Sequence, residues 1–117
     1  MFSFLQKNNP FEIENFALKF SLEWGENFGK DILERLQKKF PELTNSEIEY
    51  HQCLCKNIQD DCWKLIDYQG EPITVDELDK RLKEDIFQKY NWINKSNQTT
   101  IQSQYRYYFW KDGLIKS

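Results

Sequence analysis

The chain has 117 residues, a length that suits one domain built around a single hydrophobic core. Its aromatic content of 16% is too high for a disordered chain, and its 4 glycines and 3 prolines are too few for a turn-rich β protein. A net charge of −3 argues against a nucleic-acid binder, and no apolar run approaches the ~18 residues of a membrane-spanning helix.

The amino terminus and the cysteines together indicate a cytoplasmic protein. The opening segment MFSFL is apolar but short, and it lacks the basic start and the cleavage pattern of a signal peptide. The 3 cysteines, an odd number, are more typical of reduced thiols than of a disulfide framework.

Charge is distributed unevenly along the chain. Residues 1–85 hold 11 basic and 18 acidic side chains, whereas residues 86–117 hold 5 basic side chains and 1 acidic one. The first part therefore carries a net charge of −7 and the second part +4. This asymmetry has two interpretations: the two parts attract each other within the fold, or the basic part meets an anionic partner.

The first helical segment is predicted to begin near Pro10 or Phe11, with Asn9 as its cap and Pro10 at the first helical position. Its apolar residues recur at steps of three or four, which is helical spacing: Ile13, Phe16, Ala17, Phe20, Trp24, Phe28, Ile32, Leu36 and Phe40. Gly25 and Gly29 interrupt the pattern. One long helix and two shorter helices over residues 11–40 are therefore both compatible with the sequence.

A capping box marks the second helix. Thr44 followed by Glu47 opens a helix that is predicted to reach about Tyr68, with Gly70 as its C-terminal cap. Its buried stripe consists of His51, Leu54, Cys55, Ile58, Cys62, Leu65 and Ile66.

Two more helices are predicted in the rest of the chain. Thr74 and Glu77 form a second capping box, and the helix after it directs these residues inward: Val75, Leu78, Leu82, Ile86, Tyr90 and Ile93. Polar residues 94–99 predict a loop, and a fourth helix should cover residues 97–111 and end at Gly113. The aromatic and threonine residues of this last segment would also suit a strand, but the chain offers no partner strand.

These elements predict an all-α, single-domain bundle that spans residues 1–117. It contains four helices, or five if the first helical segment is divided. No internal repeat, low-complexity segment or linker interrupts it.

The last helix is predicted to carry five aromatic rings within six consecutive positions. At ~100° per residue, Tyr105, Tyr108 and Phe109 share one side of that helix. Tyr107 and Trp110 lie on the other side. One face cannot accommodate all of these rings, so the second aromatic face either packs against another layer of the protein or meets a neighbour.

The cysteines and the single histidine do not form a convincing metal or thiol-enzyme site. His51 and Cys55 share a helix face, but Cys53 points away from it. Cys62 lies ~10 Å along the axis from Cys55, whereas zinc bonds are only ~2.0–2.3 Å long. A thiol nucleophile needs a base, and His51 lies on the predicted core stripe. We therefore predict buried, inert thiols, no metal, no cofactor and no catalytic residue.

The sequence therefore predicts a non-catalytic protein-binding module. Tyr, Trp and Arg are enriched at binding hot spots, and the residues assigned to the partner surface are Arg106, Tyr107, Trp110 and Lys111. The most concrete version is a small bacterial inhibitor, such as the immunity protein of a toxin, because blocking a toxin requires a complementary surface and no chemistry. Two alternatives stay open: a nucleic-acid-associated or regulatory helical module that uses the basic C-terminal third, and a homodimer whose second aromatic face packs on its own copy.

Overall fold

The computed structural model describes residues 10–23 and 32–116. Five helices follow one another in this part of the chain: α1 (Glu12–Ser21), α2 (Leu33–Lys39), α3 (Asn45–Trp63), α4 (Val75–Arg81) and α5 (Lys95–Lys111). A π-helical segment, Leu82–Phe87, continues α4 directly. The predicted all-α class is confirmed, and the last aromatic segment is a helix rather than a strand.

The first helical segment is divided into two helices. α1 ends at Ser21, Glu23 is no longer helical, and α2 begins at Leu33. The described residues therefore favour the two shorter helices over a single long one. The residues that suggested a break, together with two members of the apolar stripe, lie outside the described residues: Gly25, Gly29, Trp24 and Phe28.

α1 starts one residue after the predicted range of Pro10 or Phe11, and Pro10 is not its first helical residue. The helix begins at Glu12, so Pro10 precedes it, and Phe11 occupies the cap position without a side-chain hydrogen bond. The ring of Phe11 stacks on Trp92 at a centroid distance of 6.0 Å, and its backbone has non-helical angles (φ −116°, ψ 36°). Asn9, the predicted cap, lies outside the described residues.

The capping box at the start of α3 is confirmed. Thr44 Oγ1 accepts a hydrogen bond from Glu47 N at 3.1 Å, and Glu47 Oε1 accepts one from Thr44 N at 2.8 Å. The bond that the carboxylate accepts from the Thr44 backbone N–H, and after it the interaction with the Thr44 side chain, hold the pKa of Glu47 below its ordinary value because they favour the ionised carboxylate.

The end of α3 comes earlier than predicted, at Trp63, so Gly70 is not its cap. The Leu65 carbonyl accepts a bond from Arg81 Nη1 at 2.7 Å, and Gln69 N–H donates to an aspartate side chain at 2.9 Å. In a helix that continued to Tyr68, Gln69 N would donate to the Leu65 carbonyl instead. The last turn of α3 has already tightened before this point, because Leu65 N bonds Cys62 O at 3.1 Å.

The start of α4 is confirmed only in part. Thr74 Oγ1 accepts from Glu77 N at 3.1 Å, as predicted, but the Glu77 carboxylate binds Arg81 Nε at 3.1 Å instead of completing the capping box. Val75, predicted to face inward, is 36% exposed. As the first residue of α4 it lies beyond the layer of the core that Leu78 enters.

The π-helical segment between Leu82 and Phe87 was not predicted. Leu82 and Ile86 are buried, and the three charged residues between them are exposed. An apolar spacing of four suits a wide π turn as well as an ordinary α turn. The sequence pattern therefore does not distinguish the two.

The start of α5 falls inside the stretch that was predicted to be a loop. Asn94 Oδ1 accepts from Asn97 N at 2.9 Å, which makes Asn94 the cap and lets the helix begin at Lys95. The polar residues that follow are thus the exposed surface of a helix.

The end of α5 at Gly113 is confirmed. Gly113 has a φ of +77°, a left-handed conformation that favours glycine. Leu114 N then bonds Phe109 O at 2.8 Å, and Gly113 N bonds Trp110 O at 3.0 Å, which together form a Schellman motif. Beyond it, Leu114 O accepts from Ile73 N at 2.9 Å, so the chain after α5 pairs with the residue that precedes the α4 cap.

The core is a single cluster to which every helix contributes. Leu18 of α1, Leu36 of α2, Ile58 of α3 and Leu78 of α4 are all fully buried. The largest fully buried side chains in the described chain are two of the α5 rings, Tyr105 and Phe109. The fold therefore uses the inner aromatic face of α5 as the centre of its packing.

A buried polar network joins α1 to the start of α5. Asn15 Nδ2 donates to the carbonyls of Phe11 and Trp92 at 3.0 and 3.1 Å. Asn15 Oδ1 accepts from Asn94 N at 2.9 Å and from Asn97 Nδ2 at 3.1 Å. The Asn15 amide is fully satisfied by these four bonds, and it fixes the position of α5 relative to α1.

Candidate functional site

The outer face of α5 presents two large rings to solvent. Trp110 is 62% exposed and Tyr107, one turn earlier, is 45% exposed. Their ring centroids are 6.1 Å apart with a tilt of 37°. Beside Tyr107, a groove of about 490 Å³ separates α5 from the end of α1 at Leu22. The helix thus offers a raised aromatic pair next to a depression.

The inner face of α5 is the buried one, and the predicted division of the rings is confirmed. Tyr105 is 1% exposed and Phe109 is fully buried, while Tyr108 is half-buried. Burial raises the pKa of Tyr105 far above its ordinary value, because the charged phenolate would lose its hydration. The interior of the protein therefore absorbs three of the five rings.

Trp63, at the end of α3, is a surface residue that the sequence did not single out. Its ring stacks on Tyr108 with centroids 5.2 Å apart and an angle of 24°, and it meets Tyr105 edge-on at 5.1 Å. Trp63 is itself 38% exposed. Since Tyr108 also contacts Tyr107 at 6.2 Å, a continuous row of rings leads from α3 to the outer face of α5. Trp63 flanks the apolar stripe of α3, so the sequence pattern gives no reason to place it against α5. The row of rings becomes visible only from the packing of α3 on α5.

Arg106, one of the predicted partner residues, is directed at α4. Its Nε lies 3.1 Å from Asp79 Oδ1 and its Nη2 lies 2.5 Å from Asp79 Oδ2, a two-pronged ion pair. These bonds raise the pKa of Arg106 above its ordinary value. The guanidinium therefore ties α5 to α4, and only the part of the side chain that stays exposed, 43%, is available to a partner.

Lys111, the last predicted partner residue, is exposed and forms no ion pair within the described residues. It follows Trp110 directly and lies one turn after Tyr107. Close by, Tyr68 donates its hydroxyl proton to Asp112 Oδ2 at 3.2 Å. Burial, followed by this bond, raises the pKa of Tyr68 above its ordinary value. Lys111, Tyr107 and Trp110 are all exposed on α5, whereas the guanidinium of the neighbouring Arg106 is bound by Asp79 of α4.

The basic C-terminal part is partly neutralised by the acidic part of the chain. Besides the Arg106 pair, Lys89 Nζ lies 2.9 Å from Asp61 Oδ2, and the Tyr90 hydroxyl donates to the same oxygen at 2.6 Å. The bond from Tyr90 and then that from Lys89 lower the pKa of Asp61. Ion pairs within the fold therefore neutralise part of the excess positive charge of residues 86–117.

The thiols and the histidine are distributed over both faces of α3. Cys55, Cys62 and His51 are buried, whereas Cys53 is exposed. Burial raises the pKa of Cys55 and of Cys62 to about 12. In the part of the chain that the structure describes, no group of three or more His, Cys, Asp or Glu side chains is arranged to hold a metal ion.

We expect thiol labelling to separate Cys53 from the other two cysteines. The thiolate is the reactive form, and unperturbed thiols ionise near ~8.5. At pH 8, the native protein should therefore take up one equivalent of an aromatic disulfide reagent rapidly, and the urea-unfolded chain should take up three. Cys53→Ser should abolish the rapid native reaction. Rapid labelling of Cys55 or Cys62 in the native protein would contradict the observed burial.

A groove of about 810 Å³ lies between α4 with its π-helical continuation and the first half of α5. Lysines and carboxylates line it in equal number: Lys80, Lys83, Lys95, Asp76, Asp79 and Glu84. This mixture of charges selects no ligand class. None of the predicted partner residues lines the groove.

Comparison of the chain with protein-family models, with curated proteins and with solved structures finds no match. Within residues 10–23 and 32–116, no helix combines the length and the apolar character that a membrane crossing demands.

Proposed function

We propose that the protein is a non-catalytic binding module that recognises another protein through the outer face of α5. The observation that carries this proposal is the 62% exposure of Trp110 beside the half-exposed Tyr107. Trp and Tyr are enriched among the residues that dominate binding energy, and Trp110 and Tyr107 form an adjacent exposed pair rather than one scattered ring. The most concrete form of the proposal is a small bacterial inhibitor of the immunity-protein type.

The distribution of cations favours a protein partner over a nucleic acid. Nucleic-acid affinity is supplied mainly by Lys and Arg side chains that contact phosphates. Arg106 and Lys89, two of the 5 basic residues in the C-terminal part, are held by Asp79 and Asp61. Among the residues assigned to the partner surface, Lys111 is then the remaining cation next to the exposed rings. An aromatic pair with one cation suits the centre of a protein interface.

Replacing Trp110 with alanine should weaken partner binding by about 30-fold or more, the effect of losing a hot-spot ring. The measurement is calorimetric titration of the purified protein with the product of the gene adjacent to its own. Tyr50→Ala is the matched control, because the aromatic side chain of Tyr50 on α3 is exposed to a similar extent, 59%, and lies outside the proposed surface. This control should bind as the wild type does.

Three results would count against the proposal or redirect it. Equal affinity of wild type and Trp110→Ala would remove the outer face of α5 from the interface. A solution mass of two chains that returns to one chain in Trp110→Ala would favour the homodimer. Binding to oligonucleotides that weakens steeply with salt would favour the nucleic-acid alternative.

A further inference from the structure

A short aromatic row crosses from the end of α3 to α5 and consists of Trp63, Tyr108 and Tyr107. Tyr108 is the middle ring, and its centroid lies 5.2 Å from that of Trp63 and 6.2 Å from that of Tyr107. Trp63 is 38% exposed and Tyr107 is 45% exposed, so both outer rings of the row reach solvent. Two helices therefore contribute to one exposed aromatic surface.

Buried rings of α5 hold the aromatic row in position. Trp63 meets Tyr105 edge-on at 5.1 Å and Phe109 edge-on at 5.5 Å, and both of these rings are buried. Tyr108 also packs edge-on against Tyr105, at 5.3 Å. Because the core supports the row in this way, little side-chain freedom remains to be lost when a ligand binds, and such preorganisation favours affinity.

Two lysines flank the aromatic row. Lys64 follows Trp63 directly, and Lys111 lies one helical turn after Tyr107 and Tyr108. Both lysine side chains are exposed, and neither forms an ion pair within residues 10–23 and 32–116. The row therefore has a cation on each of the two helices that build it.

The carboxylates around these lysines are bound by other groups. In the last turn of α3, Asp60 Oδ2 lies 3.2 Å from Lys56 Nζ and Asp61 Oδ2 lies 2.9 Å from Lys89 Nζ. Asp112, which follows α5, accepts a tyrosine hydroxyl proton at 3.2 Å. The lysines beside the row are thus free to meet carboxylates of a ligand, and complementary charge of this kind fixes the register of a bound partner.

The spacing of the row suits a polyproline II helix. That helix has three residues per turn and rises ~3.1 Å per residue, so residues i and i+3 point the same way ~9 Å apart. The two centroid steps from Trp63 through Tyr108 to Tyr107 are together of the same order. Aromatic surfaces bind proline-rich segments well because this conformation is already formed before binding.

Hydrogen-bonding chemistry at the row points to the same ligand. The backbone carbonyls of polyproline II form no hydrogen bonds within the helix, so they are available to a donor. An indole N–H can only donate, and that of Trp63 has no acceptor in the part of the chain that the structure describes. Trp63 can therefore supply both an apolar face and a donor to such a ligand.

We propose that the aromatic row binds an acidic, proline-rich segment of the partner protein in the polyproline II conformation. Two prolines three residues apart cover Trp63 and Tyr107, and carboxylates on either side of them meet Lys64 and Lys111. This inference rests on the proposed function, because it names the chemistry of the partner. It also extends the partner surface from the outer face of α5 to the end of α3.

Titration of the full, isotope-labelled chain with a peptide of four Pro-Pro-Glu repeats tests this assignment. The indole N–H resonance of Trp63, assigned with Trp63→Phe, should shift and saturate. A peptide of four Gly-Ser-Glu repeats has the same length and charge but is flexible, so it should bind about tenfold more weakly or less. A peptide of four Pro-Pro-Gln repeats lacks the carboxylates, and it should bind about threefold more weakly than the Pro-Pro-Glu peptide.

Variants of the protein identify the contacts. Tyr107→Ala should weaken binding of the Pro-Pro-Glu peptide about tenfold, and its exposed position leaves the fold intact. Lys111→Gln should weaken binding of the Pro-Pro-Glu peptide but leave binding of the Pro-Pro-Gln peptide unchanged. Tyr50→Ala is the matched control, since it removes an exposed ring of α3 that lies outside the row, and it should bind both peptides as the wild type does.

Three outcomes would overturn the proline-rich ligand. The first is an unchanged Trp63 resonance at a Pro-Pro-Glu peptide concentration of about 1 mM, and the second is equal binding of the Gly-Ser-Glu peptide. The third is a shift of the Trp63 resonance with protein concentration alone, which would assign the row to a second copy of this chain. If the whole partner still binds in a manner that depends on Trp110, these outcomes remove only the proline-rich ligand and leave the proposed function standing.

Discussion

Phe109→Ala should lower the free energy of unfolding by about 3–5 kcal/mol, the usual cost of emptying a buried aromatic site. Phe109 is fully buried and contacts Trp63 edge-on at 5.5 Å and Tyr105 at 5.9 Å. The loss comprises the transfer of the ring from water, the ring contacts and the cavity that remains. Because a domain is typically stable by only about 5–15 kcal/mol, this change should bring the protein close to unfolding. Urea denaturation followed by tryptophan fluorescence measures it.

Trp110→Ala provides the control for Phe109→Ala, since it removes a larger ring from the adjacent position of the same helix. Trp110 is mostly in water and its ring contact is with Tyr107, so the expected loss is about 1 kcal/mol or less. Similar losses for the two variants would mean that the inner and outer faces of α5 are not distinguished as described.

Asn15→Ala should lower the free energy of unfolding by about 2–4 kcal/mol, because several buried groups lose their partner together. Without the Asn15 side-chain amide, α1 offers no acceptor to the Asn94 N–H and no donor to the Trp92 carbonyl. Asn97 keeps its bond to the Asn15 backbone carbonyl, at 2.9 Å, and this limits the loss. Thermal and urea unfolding of the purified variant give the value.

Asn57→Ala is the matched control for the asparagine network. Asn57 is exposed on α3, where alanine is the better helix former, so this substitution should be neutral or slightly stabilising. The effects of Asn15→Ala and Asn97→Ala should not add, because the two side chains share bonds. An additive double variant would show that the two amides act independently.

Local hydrogen-bonding chemistry is the part of this fold that the sequence predicts well. The cap at Thr44 and the end at Gly113 depend on residues within one turn of each other, so short patterns locate them. Just after the end of α3, Arg81 of the next element binds the Leu65 carbonyl, a contact that the local sequence does not announce. The start of α5 depends on Asn94, a single polar residue within a polar stretch. Such helix boundaries involve contacts with other elements, or a cap residue that cannot be told from the polar residues of a loop.

The candidate partner surface on α5 is likewise predictable from the sequence only in part. Helical periodicity alone distinguishes the exposed Tyr107 and Trp110 from the buried Phe109, because those positions differ in angle. Periodicity does not report that Arg106 is bound by Asp79, a residue on another helix. It also does not place Trp63 against the rings of α5. A surface that combines two helices requires their packing to be known.

The amide of Asn15 couples distant parts of the chain into one folding event. Its bonds to residues 92, 94 and 97 span 77 to 82 positions of sequence, so none of them forms until the first helix has met the last. Closing so long a loop is entropically costly, and contacts of this range slow folding. We infer that the docking of α1 on the start of α5 is a late step of folding.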